Sequence, residues 1–150
     1  MLERAGSFAR GASEVAAWEL EPIAALGEEC LKREEVGEAV AVFSTLGAGI
    51  CAGYEMIWDE ESEVGLVLDR CVGGLEACLD RGETSTRADI LDVLLDIAVW
   101  ERMSGGYGVG ERAAELVLAR STVDERRAMA AAAASVLQQA VLRQIGRAHV

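Results

Sequence analysis

Histidine and proline occur once each in this chain, as His149 and Pro22, and aromatic residues make up only 5% of it. One histidine leaves no Ser–His–Asp triad, no histidine-rich zinc site and no imidazole proton relay. Few prolines and aromatics, beside abundant Ala and Leu, argue against a β-sandwich and for helices. Lysine is nearly missing too: Lys32 stands alone beside 13 arginines, the usage a GC-rich coding sequence gives, with a salt-adapted acidic surface as the alternative. Basic residues of both kinds number 14 against 26 acidic ones, a net charge of −12. That balance disfavours nucleic-acid backbones and anionic membranes, which select Lys/Arg patches, so neither is an expected partner. No C-x-x-C spacing joins Cys30, Cys51, Cys71 and Cys78, so the usual zinc patterns fail. The cysteines are expected as free core thiols, with no metal and no cofactor. The N-terminus, MLERAGSFARG, has no apolar segment of the secretory kind behind it, and a cytoplasmic location is expected. The uncharged run from Ala39 to Tyr54 is shorter than the ~20 residues a bilayer span requires. Its Gly49 and Gly53 form a small-x-x-x-small pair that suits close helix packing.

What is present is helical period. Of 150 residues, 51% are hydrophobic and 27% charged, the balance of one globular domain. Apolar positions recur at Val36, Val40, Phe43, Leu46, Ile50, Tyr54 and Ile57, in steps of three and four. A second set runs through Val64, Val67, Leu68, Cys71, Val72, Leu75, Cys78 and Leu79. Thr86-Arg-Ala-Asp89 and Thr122-Val-Asp-Glu125 read as capping boxes that open two further helices. Pro22 suits a first helical turn. The fold class expected is all-α, with six or seven helices in stacked antiparallel hairpins or a bundle. Phe43, Leu46, Gly47 and Ile50 share the spacing of a first tetratricopeptide helix, but the match does not extend further.

The last six residues, Ile145 to Val150, read as the in-frame translation of a common short-read sequencing adapter. On that reading residues 1–144 are one α-helical domain truncated within its last helix, and residues 145–150 are an artefactual tail containing His149. The final helix then carries an apolar stripe of Ala133, Val136, Leu137, Ala140 and Val141, and self-association through it is expected.

No catalytic motif stands out. Gly105-Gly106-Tyr107-Gly108 lacks a following P-loop lysine and reads as a connecting loop, and Asp59-Glu60-Glu61-Ser62-Glu63 reads as a solvated helix start. One constellation rises above this background. Asp89, Asp92, Asp96 and Trp100 fall on one narrow stripe of an otherwise apolar helix. Such a stripe is suited to a protein partner with a basic, partly apolar segment; the alternative is a plain solvated face, with Trp100 packed under the loop at Tyr107.

The stretch from Tyr54 to Ala128 resembles the helical region that follows the zinc finger in SWIM zinc-finger proteins. The features are Tyr54, the acidic Ser62-Glu-Val64-Gly65 segment, a Leu-rich helix to Cys78-Leu79-Asp80, Leu94-Leu95-Asp96 to Trp100, and Tyr107-Gly108-Val109. The finger's own C-x-C and C-x-H pattern is absent, so the resemblance carries no metal ligand onto this chain. It implies an accessory helical segment of a larger protein. The function expected is therefore a non-enzymatic interaction module. The alternative is part of an all-α enzyme whose catalytic residues lie outside this chain.

Overall fold

The periodic segments form six helices, and no strand occurs among the described residues. The structure is a computed structural model that describes residues 19–53, 63–81, 84–104 and 108–148, a few side chains within the helices excepted. The helices are α1 (Glu21–Lys32), α2 (Val36–Gly53), α3 (Glu63–Arg81), α4 (Thr84–Ser104), α5 (Val109–Arg120) and α6 (Val123–Ala148). The fold is all-α. The chain divides into two units, one ending at Arg120 and the other beginning at Ser121.

Local chemistry sets the helix ends. Pro22 lies in the first turn of α1, where its missing N–H costs no hydrogen bond. At the other end, the Glu35 N–H donates to the Cys30 carbonyl at 2.9 Å and the Glu34 N–H to the Leu31 carbonyl at 3.1 Å. These two bonds make a Schellman turn, which needs one left-handed residue. Glu34 fills that position at φ 61°, at a cost of about 1 kcal/mol that glycine would avoid. The turn brings α2 back against α1 after three residues.

The expected faces of α2 and α3 are the buried ones. Val40, Phe43, Leu46 and Ile50 of α2 and Val67, Leu68, Cys71, Val72, Leu75, Cys78 and Leu79 of α3 are all in the core. Helix α2 stops at Gly53, so Tyr54 and Ile57, along with the acidic run at 59–62, lie outside the described residues. Helix α2 is long and apolar enough to cross a membrane, but here its apolar side packs against α1, α3 and α4. Helix α4 begins at Thr84, two residues before the expected start. Thr86 thus sits inside the first turn and is not an N-cap.

In the first unit, helices touch their neighbours one or two places along the chain. Helix α1 packs on α2 and α3, α2 on α3 and α4, α3 on α4 and α5, and α4 on α5. This places α1, α3 and α5 side by side in one layer, with α2 and α4 in the other, as in stacked hairpins. Ion pairs give the direction. Arg112 reaches Asp69 and Glu76, and Arg120 reaches Glu76 and Asp80. Both helices advance together, so α3 and α5 run parallel and the intervening α4 returns between them.

The layers lock at one ring. Phe43 of α2 is fully buried and lies between Gly27 of α1 and Gly74 of α3. A methyl group at Gly27 would meet the ring at 2.7 Å, and one at Gly74 would come closer still. Both positions must lack a Cβ for three helix backbones to approach one aromatic side chain. Gly47 provides a looser approach on the other side of α2, beside Val93 and Ile97 of α4.

In the second unit the capping box forms as expected. The Glu125 N–H donates to Thr122 Oγ1 at 3.1 Å and the Thr122 N–H to Glu125 Oε1 at 2.8 Å. From Ala130 to Gly146 every described side chain of α6 is exposed. Ala133 and Val141 of the expected apolar stripe are among them, while the side chains of Val136, Leu137 and Ala140 are outside the described set. Alanine sustains such a helix through its intrinsic propensity, without tertiary burial.

Candidate interaction face

The candidate site lies on α4, and its geometry follows from the way that helix is buried. Ile90, Leu91, Leu94, Ile97 and Ala98 face the core. Asp89, Asp92 and Asp96 sit at intervals of three and four and are all exposed, so one helix carries an apolar side and an acidic side. Outside the acidic stripe, this apolar helix is not wholly buried. Val99 is 52% exposed and Ala88 is exposed as well, although α4 packs on α2, α3 and α5. Val99 follows Asp96 by three residues and gives the stripe an apolar end. Trp100 continues the stripe by sequence; its side chain lies outside the described residues, as does Tyr107.

Among the described residues, none of the three aspartates has an ion-pair or hydrogen-bond partner. Asp96 titrates above the usual carboxylate range because neighbouring atoms exclude part of its water and because Asp92 lies one turn away. Its field also reaches Cys51 at the end of α2, whose thiol burial and Asp96 together push up to about 12. The stripe therefore holds like charge that no described residue pairs with.

Acids on the α1, α3 and α5 layer are treated differently. Glu28 pairs with Arg70, Asp69 with Arg112 at 2.8 Å, Glu76 with Arg112 at 3.2 Å and Arg120 at 3.8 Å, and Asp80 with Arg120. Arg81 adds a hydrogen bond to the Leu31 carbonyl at 3.3 Å, and Arg87 one to the Arg120 carbonyl at 2.6 Å. Sequence reasoning missed this ladder. Its signal was present as i, i+7 acids at Asp69 and Glu76 and i, i+8 arginines at Arg112 and Arg120, but only parallel packing of α3 on α5 brings the two sets together.

The cysteines are free, with Cys30, Cys71 and Cys78 buried and Cys51 half-buried. Burial raises all four thiols, Cys78 to about 11. Raised thiols of this kind favour the neutral form, and no three His, Cys, Asp or Glu side chains among the described residues converge as a metal site would need. A cleft of about 280 Å³ opens beside Cys30, lined by Leu26, Val42, Glu29, Arg33, Glu35 and Glu38. Its one cation is already bonded to Glu29 at 3.3 Å.

No family model, curated protein or solved structure matches the chain. The unpaired stripe on α4 and the paired ladder across α1, α3 and α5 are thus the observations on which a functional reading stands.

Proposed function

We propose that this chain is a non-enzymatic helical interaction module that receives a basic, partly apolar protein segment on the acidic face of α4. The observation that carries the reading is the row Asp89, Asp92 and Asp96, exposed, without an ion-pair partner among the described residues, and ending at exposed Val99. A row of three carboxylates spaced by helical turns matches arginines or lysines spaced the same way on an approaching helix, and Val99 offers an apolar contact at its end. Charge of this kind sets partner choice and association rate more than bulk affinity. The resemblance of residues 54–128 to the helical region of SWIM zinc-finger proteins supports placing such a module inside a larger protein.

The test uses a labelled amphipathic peptide with arginines at i, i+3 and i+7, titrated with the full chain at low and moderate salt. Binding is expected, weakening as salt rises. Replacing Asp89, Asp92 and Asp96 together with Asn should weaken it by roughly tenfold or more. Asp69→Asn with Asp80→Asn, which removes acids of the paired ladder, should leave it within about twofold. Equal weakening by both variants, or no binding by the unaltered chain, would overturn the reading.

A further inference from the structure

Helices of the first unit pack in a regular order, and that order ends on an open seat. Helix α3 packs on α1 and α2, α4 on α2 and α3, and α5 on α3 and α4. One more helix in this series would lie on α4 and α5. The apolar side chains that would meet it are those the unit leaves outside. On α4 they are Ala88, Leu95 and Val99, which share one side of the helix in steps of seven and four. Ala88 and Val99 are exposed and Leu95 is half-buried, while Val93 and Ile97 point the other way, to Gly47 of α2. On α5 they are half-buried Ala114 and, one turn on, Leu118, which is 66% exposed. Arg112 and Arg120 leave α5 on its opposite side, towards α3. Arg87 near the start of α4 donates to the Arg120 carbonyl at the end of α5, so the two helices are antiparallel. One row faces away from α2 and the other away from α3, so both border one groove at the end of the stack.

Acids line both edges of this groove. Asp92 and Asp96 flank the row on α4, and Glu111 and Glu115 flank the row on α5. Glu111 and Glu115 are exposed and, like the α4 aspartates, have no ion-pair partner among the described residues. We propose that the groove between α4 and α5 seats a helix of a protein partner whose apolar stripe is flanked on both sides by arginine or lysine. The inference rests on the reading of the α4 acids given above and adds α5 as a second wall. From Ala88 to Val99, α4 rises about 17 Å, so a partner helix of about three turns fills the seat. Ala88 and Ala114 let it approach, Val99 and Leu118 supply apolar contact, and the two acidic edges fix its orientation. Charge argues against a second copy of this groove as the occupant, since acid would then meet acid along both edges.

The probe is a labelled helical peptide with leucine at i, i+4, i+7 and i+11 and arginines on both sides of that row, titrated with the full chain. Binding is expected. Leu118→Gln should weaken it roughly tenfold without lowering the melting temperature, since that side chain is mostly exposed. Glu111→Gln with Glu115→Gln should weaken it about fivefold and flatten its salt dependence. A spin label at the centre of the peptide should broaden amide signals of both α4 and α5. If Asn at Asp89, Asp92 and Asp96 weakens binding while neither α5 variant does, the partner lies on α4 alone; this inference then falls and the reading of the α4 acids stands. A two-sided peptide that does not bind, beside a one-sided arginine peptide that does, has the same meaning. Dimerisation of the unaltered chain that Leu118→Lys abolishes would put a second copy in the groove and overturn the inference.

Discussion

Carboxylates are common on both α3 and α4, but their surroundings differ. On α3, Asp69, Glu76 and Asp80 each meet a guanidinium from α5, and Arg70 reaches back to Glu28 of α1. On α4, Asp89, Asp92 and Asp96 meet none among the described residues. Glu28 and the acids Asp69, Glu76 and Asp80 are thus paired, while Asp89, Asp92 and Asp96 carry negative charge without a partner among the described residues. The chain has 13 arginines, and those on α3 and α5 serve helix packing. What distinguishes the α4 acids is neither type nor spacing but that no arginine among the described residues reaches them.

The seam between the two layers gives the largest effect. Gly74→Ala drives a methyl into a Phe43 ring that Gly27 blocks from retreating. It should destabilise the first unit by about 3 kcal/mol, read as a shift in the denaturant midpoint. Phe43→Leu in the same chain should recover part of that loss, because the two changes share one space. If Gly74→Ala alone is harmless, the layers are not held by this ring and the contrast between them loses its packing basis.

Next comes the ladder. Arg112→Ala removes the links to Asp69 and Glu76, whose side chains remain between a third and a half exposed. The expected cost is about 1 kcal/mol at low salt, shrinking as salt rises. Loss that is independent of salt would show that Arg112 acts through its packed stem and not its charge.

The smallest effect concerns α4 and has the opposite sign. Asp96 has a raised carboxyl pKa in the folded chain, so the folded state holds this proton more tightly than the unfolded one. The stabilisation that follows is fully present below the unfolded value of about 3.9 and is lost as pH rises through the folded value. At neutral pH the charge on Asp96 therefore opposes folding. Asp96→Asn should raise the melting temperature slightly at pH 7, and its advantage should vanish as the pH falls below about 4. A substitution that destabilises at pH 7 would mean Asp96 is compensated after all, and the two layers would be alike.

The inner faces of α2 and α3 were legible because burial repeats with helical period, and the Thr122 capping box because its two bonds are local. The acidic stripe was legible on the same ground: Asp89, Asp92 and Asp96 are neighbours on one helix. Features that join distant segments were not. Gly27 and Gly74 have no periodic signature, and the pair that sequence spacing singled out, Gly49 and Gly53, is not the pair that clamps Phe43. Glu34 gave no sign of a left-handed turn, since glycine is the usual residue there. The early start of α4 at Thr84 escaped because Thr86 and Asp89 have capping-box spacing yet lie within the helix.

The seat of Phe43 also governs how the first unit comes apart. One ring contributes to the footing of α1, α2 and α3 at once, so α1 cannot swing away without exposing an aromatic face that α2 and α3 have no other means to cover. Fraying from the amino-terminal end is thereby tied to the loss of the next two helices. Slowly exchanging amides in α1, α2 and α3 should share one opening free energy, and helices joined only by neighbour-to-neighbour stacking would instead release their protons in sequence.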